Sequence, residues 1–339
     1  HETLADFFSV ALAERPDVWA DIQQKYAHRG RAIVPSNRKQ ALIPNGAAVL
    51  PNPAGSAPGI IWEPRPGLVL MTFPGVPKEM QIMWRTTAVP YLQTHGWATA
   101  PIHSRTLKFW GIGESNLAEQ VNHLFALENP TVAPYASQGS VKLRVSARAA
   151  SQAEAIALIH PVAEEILKIA GEHYYGDDDA TLASVVGDQL RQQGQTLAVA
   201  ESCTGGGLGQ MLTAVAGSSD YFMGGVISYD NAVKIDLLGV HPESLAAEGA
   251  VSEPVACQMA AGVRARLGTD WGIGITGVAG PGGGTEAKPV GLVYIGLAGP
   301  DRRVFSHPFR FGNLRGRDWI RHLSCCSALD LLRRSLPTS

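Results

Sequence analysis

A chain of 339 residues exceeds the roughly 150 residues of one typical domain and predicts two or three. With 45% hydrophobic residues it can bury proper cores, and a formal net charge of -2 excludes the basic field by which general nucleic-acid binders collect phosphates. Four cysteines without metal spacing exclude a disulfide scaffold; no signal-peptide pattern and no apolar run of the roughly 20 residues of a membrane span is present, so a cytoplasmic protein is expected.

The chain opens on HETLADFFSVAL, with no initiator Met and already in helical periodicity through Leu4, Phe7, Phe8, Ala11 and Leu12, which reads as the middle of a domain. The first segment, residues 1–95, continues with a second helical pattern and the Pro- and Gly-rich IPNGAAVLPNPAGSAPGIIWEPRPG. A buried-strand run, LVLMTF, then passes through Pro74 and Gly75 to the helix KEMQIMWRTTAVPYL. Such a handover places a ligand loop at the carboxyl end of a parallel sheet, although a plain turn needs the same two residues.

The second segment, 96–176, reads as strand RTLKFWGIG, helix ESNLAEQVNHLFAL, strands TVAPYAS and VKLRVSARA, helix SQAEAIALIHPVAEEILKIAG and a short strand HYY. This β-α-β-β-α-β order describes a small two-layer α+β module. Val141, Leu143 and Val145 alternate with Lys142, Arg144 and Ser146, as in an antiparallel strand with one wet face. Pro161 is expected to kink its helix or start a new turn, and Asp179 to cap the next one.

The third segment, 177–339, alternates helices and strands and then places strands WGIGIT, VGLVYIGLAG and RVFSHPFRF in succession before a closing amphipathic helix. That order predicts a layered α/β sandwich with a mixed sheet.

Within it, LAVAESCTGGGLGQM is strand, loop and helix. Thr204 stands where it can cap the helix, and Gly205 and Gly206 let backbone approach a ligand. The spacing fits neither a Walker motif nor G-x-G-x-x-G. Ser202 and Cys203 are both candidate nucleophiles at the strand end, and a serine needs a base. Lys234, in SYDNAVKIDLLGV, can serve if burial lowers its pKa, and is otherwise a solvated helix lysine. A glycine-rich loop, GITGVAGPGGGTEAKPVG, follows another apolar strand. If the strands ending at AESCTGG, ISYDN and GITGVAGP are parallel neighbours, Ser202, Tyr229 and Thr276 meet at one edge with Lys234 on the adjoining helix.

AESCTGGGLG, GSSDYFMGGVISYDNAVKIDLLGV, GAVSEP, TGVAGPGGGTEAKPVG and the closing helix resemble the CinA family of competence/damage-inducible proteins over residues 180–337. The third segment resembles the family's C-terminal nicotinamide mononucleotide deamidase domain, also found alone as PncC. NRKQALIPNGAAVLPNPAGSAPG and FPGVPKEM resemble part of an N-terminal domain similar to molybdopterin-binding proteins of the MoaB and MogA type. The middle module resembles the family's KH-type domain, but GIGE replaces the G-x-x-G of nucleic-acid binders, so no nucleic-acid partner is expected. The family's N-terminal domain is associated with metal-dependent ADP-ribose pyrophosphatase activity through a GGLGPTxDDxT segment. That segment belongs immediately before His1 and is not in this sequence, so no metal site is expected here.

The resemblance implies hydrolysis of the nicotinamide mononucleotide carboxamide without a cofactor, in a homo-oligomer that contacts no membrane. The family's serine matches Ser202, its lysine Lys234 and its hydroxyl residue Thr276. Amides from Cys203 to Gly206 are expected at the oxyanion, and Glu201 is expected to orient Lys234 or pair with an arginine. Tyr229 is expected either against the pyridinium ring or packed in the core, and substrate contact is expected from Thr204, Gly277 and Gly280. Gly205, Gly206, the glycines of the 280s and Arg310 or Arg315 are candidates for the phosphate. The alternatives are a nucleotide-binding module without hydrolysis, pyrophosphatase activity in a full-length parent, and an assembly role in DNA uptake.

Overall fold

The computed structural model describes residues 1–97 and 101–337, which divide into two compact units, His1–Pro101 and Ile102–Ser339. In the first unit, α1 (Glu2–Phe7) is followed by β1 (Leu12–Glu14), α2 (Pro16–His28), β2 (Leu42–Pro44), β3 (Ala48–Leu50), β4 (Gly59–Arg65), β5 (Leu68–Thr72), α3 (Pro77–Met83) and α4 (Val89–Thr94). The helical periodicity does not carry α1 to Leu12. Ser9 turns the chain with φ of 54°, and Leu12 enters a strand paired with Pro44.

β3, β4 and β5 form an antiparallel sheet. The LVLMTF strand therefore ends in an ordinary turn into α3 and not at the edge of a parallel sheet, which corrects the expectation of a ligand loop at Pro74 and Gly75. β4 lies inside the Pro- and Gly-rich stretch. Its run Ile60, Ile61, Trp62 is buried, which outweighs the turn-forming residues around it.

The second unit begins with β6 (Ile102–Phe109), α5 (Glu114–Gln120), β7 (Thr131–Ser137), β8 (Ser140–Arg148), α6 (Gln152–Ala170) and β9 (Tyr174–Asp177). Their sheet runs β7-β8-β6-β9, antiparallel throughout. Leu107, Phe109, Leu143 and Val145 pack on Ile159, Ala163 and Ile166 of α6. α6 keeps helical assignment through Pro161, on its exposed side, and Ser151 caps it by accepting from the Glu154 amide.

Next come α7 (Leu182–Gln193), β10 (Leu197–Glu201), α8 (Gly207–Thr213), β11 (Phe222–Ile227), α9 (Asn231–Leu238), α10 (Pro242–Glu248), α11 (Glu253–Leu267), β12 (Trp271–Gly277), β13 (Leu292–Ala298), β14 (Val304–Arg310) and α12 (Gly316–Ser335). Thr181, in a capping box with Ser184, starts α7; Asp179 does not. The sheet order is β11-β10-β12-β13-β14, with the first three strands parallel and the last two antiparallel.

Alternation along β10 builds a three-layer sandwich. Leu197 and Val199 face the core shared with α7, α8 and α12, while Ala198 and Ala200 face α9 and α11. α11 lies unusually close to the sheet because Gly274 has no Cβ, which would stand 2.5 Å from the Ala256 carbonyl. The alternation of large residues and glycine in WGIGIT is thus a packing pattern.

Candidate active site

β10 lies between β11 and β12, with Glu201 in register with Ile227 and Ile275. Both ladders extend one step beyond the strands: the Ser202 amide donates to the Ile275 carbonyl (3.0 Å) and the Ser228 amide to the Glu201 carbonyl (2.8 Å). Ser228, Ser202 and Thr276 therefore leave the carboxyl edge on neighbouring strands, about 5 Å apart.

Asp230 caps α9 by accepting from the Ala232 amide, and one turn on, Lys234 turns back under the edge with only 1% of its surface exposed. Its Nζ donates to the Ser228 carbonyl (2.8 Å) and the Tyr229 carbonyl (3.1 Å). Burial lowers its pKa, against the pull of Asp230 and Cys203. A neutral amine has two N–H groups and one lone pair. In that form the two carbonyls would take both N–H groups, and the lone pair would remain to accept a proton.

Thr276 is equally buried, and its hydroxyl donates to the Ala250 carbonyl at 2.7 Å. So arranged, it accepts but does not donate toward the edge. The hydroxyls of Thr204 and Ser228 are fully buried without a partner among the described residues. Unpaired buried hydroxyls are costly, and these two lie in the loops that follow β10 and β11.

Glu201 does not orient Lys234 or pair with an arginine. Its buried carboxylate accepts from the amides of Gly206 (3.1 Å), Leu208 (3.0 Å) and Gly209 (2.9 Å), so it takes the capping role expected of Thr204. Gly205 and Gly206 both adopt positive φ, which turns the chain so that these amides converge on the carboxylate. The Gly205 amide is bound to the Ser202 carbonyl, so neither glycine has a free amide for a phosphate. Within Cys203 to Gly206, only the Cys203 and Thr204 amides lack a partner among the described residues.

The Cys203 side chain is 6% exposed and belongs to the domain core, where burial pushes its thiol up to about 12. It is a core group and not a nucleophile at neutral pH. Gly277 has its missing side chain toward Val293 of the next strand, so packing explains that glycine.

Tyr229 is 63% exposed, with its hydroxyl accepting from Arg317 (3.1 Å). Arg317 also donates to the Gly280 carbonyl (2.8 Å), and Arg321, one turn later on α12, donates to the Thr204 carbonyl (2.8 Å). These two arginines tie the three loops together and were missed in the sequence. The i, i+4 spacing in RGRDWIR was the available signal. Arg315 stacks over Trp319 (4.9 Å), whereas Arg310 lines a separate cavity of about 580 Å³ beside the glycine loop from Gly282 to Glu286.

Among the described residues no three His, Cys, Asp or Glu side chains cluster as metal ligands, and no helix is long and apolar enough to cross a membrane. Comparison with known proteins matches residues 179–336 to the CinA C-terminal domain and 104–176 to the damage-inducible protein CinA KH domain. A CinA-like protein of Cyanothece sp. (strain PCC 7425 / ATCC 29141) is 63% identical over 99% of this chain and 80% of its own length. One from Trichormus variabilis (strain ATCC 29413 / PCC 7937) is 64% identical over 99% and 81%. The crystal structure of competence/damage inducible protein CihA from Agrobacterium tumefaciens is 40% identical, covers 44% of this chain and 91% of its own, and has a TM-score of 0.44. The chain, an α/β protein with a KH-type module, belongs to the CinA family.

Proposed function

We propose that the C-terminal domain, residues 177–339, hydrolyses the carboxamide of nicotinamide mononucleotide to nicotinate mononucleotide and ammonia. The observation that carries this reading is the placement of Lys234: buried, its Nζ held by the Ser228 and Tyr229 carbonyls just past β11, the strand next to the one that Ser202 follows, with burial lowering its pKa.

In this scheme Lys234 takes the Ser202 proton as Oγ attacks the carboxamide carbon. The Cys203 and Thr204 amides receive the developing oxyanion, a contribution of order 10²–10³ in rate per donor. The tetrahedral intermediate expels ammonia with the proton returned by Lys234, leaving a nicotinoyl ester on Ser202. Water, activated by the same amine, then hydrolyses that ester. Thr276, with its proton committed to Ala250, does not compete as a donor at this edge, which leaves the Ser202 proton to Lys234.

The exposed Tyr229 ring offers a π face to the cationic pyridinium. Glu201 disfavours phosphate at the start of α8, so Arg317 and Arg321 are the phosphate-binding pair in this reading. Incubation with nicotinamide mononucleotide should yield ammonia and nicotinate mononucleotide in equal amounts, separated by anion-exchange chromatography. Release of free nicotinamide instead would mean that the glycosidic bond is cut and the reading is wrong.

A further inference from the structure

Where the KH-type module meets helices α7, α8 and α12 of the same unit, a cavity of about 380 Å³ opens to solvent. We propose that it is a binding site, separate from the Ser202 edge, for a small organic anion: a ring-sized apolar body carrying one phosphate, carboxylate or sulfonate.

The polar side of the cavity rests on Lys108 and Lys142, which are directly opposed in the β6–β8 register and both line it. Like charges opposed across strands are destabilising by themselves. Neither lysine forms an ion pair with a described residue. Lys108 Nζ donates to the Ala180 carbonyl (2.8 Å), which holds the amine at the cavity and leaves its other protons for a guest. Asp178 and Asp179 offset part of the charge, but burial and Lys142 together lower the Lys108 pKa, as an anion bridging the two would reverse. The same cavity is lined by the apolar side chains of Trp110, Met211, Val215 and Leu329, suited to a ring.

The walls are held in place independently of any guest. Gly139, at the tip of the β7–β8 hairpin, lies so close to α12 that a Cβ there would stand 2.6 Å from Leu323. The neighbouring Gln138 carbonyl lies 3.0 Å from His322 Nε2 on the same helix. The cavity is therefore preformed, which lowers the cost of binding.

Anilinonaphthalene sulfonate, a fluorescent ring-bearing anion, is the probe. Titration of the full chain at low salt should show one saturable site. Lys142→Gln should weaken it about tenfold, the size of one lost charge-assisted contact. Ala214→Trp, which fills the cavity from an exposed position on its rim, should remove it, with melting curves showing both variants folded. Phenyl phosphate and benzoate serve as competitors, and displacement by either supports the site and names the preferred head group. The proposal is overturned if the wild type binds no probe saturably, if both folded variants bind as the wild type does, or if neither competitor displaces the probe.

Discussion

Lys234 is the residue on which the proposed chemistry turns, and its state is set by burial. Because burial lowers its pKa, the neutral amine is present at lower pH than for a free lysine. The base must be neutral, so kcat/KM should rise about tenfold per pH unit on the acid limb and level off below the usual lysine range. A profile with no acid limb at any pH at which the protein stays folded would contradict the assignment. Cys203 makes the opposite case: with its thiol in the core and held up to about 12, Cys203→Ala should keep kcat within a few-fold while lowering the melting temperature. Loss of turnover in a folded Cys203→Ala variant would reopen the choice of nucleophile. Ser202, Lys234 and Thr276 could be singled out in the sequence because each follows an apolar run at a strand end or sits on the adjoining helix. Glu201 could not be placed, because its partners are backbone amides, which leave no trace in residue type.

At the scale of elements, the loop between β10 and α8 depends on that carboxylate. Glu201→Ala leaves three amides without an acceptor, and the cost should be at least about 3 kcal/mol in urea denaturation. Glu201→Gln, which keeps one acceptor oxygen, should fall between the wild type and alanine; a loss below about 1 kcal/mol for alanine would show that the loop is held otherwise. The approach of α11 to the sheet makes a second demand. Gly274→Ala should destabilise by at least about 2 kcal/mol, since the helix backbone must move away from β12, and an unchanged denaturation midpoint would refute this packing. Most elements of the second unit follow from alternation and helical periodicity, as with Val141, Leu143 and Val145 on β8. β4 did not, because prolines and glycines flank its short apolar run. α10 did not, because with no buried residue it carries no apolar stripe.

For the molecule as a whole, the arrangement of the second unit's C-terminal sheet matters most. Three parallel strands ending together bring loops separated by up to 74 positions, from Ser202 to Thr276, to one edge, where α12 closes over them through Arg317 and Arg321. Strand order was conditional in the sequence, since parallel pairing is set by long-range contacts. In the first unit the same kind of inference failed, since LVLMTF joins an antiparallel sheet. Ammonia release from nicotinamide mononucleotide, followed for wild type and Ser202→Ala in parallel with substrate binding measured on both, joins the edge geometry to its chemistry. The wild type should turn over, and the mutant should bind substrate yet lose at least about 10³ in kcat. A mutant that turns over like the wild type, or a folded wild type that releases no ammonia, would contradict a serine–lysine deamidase.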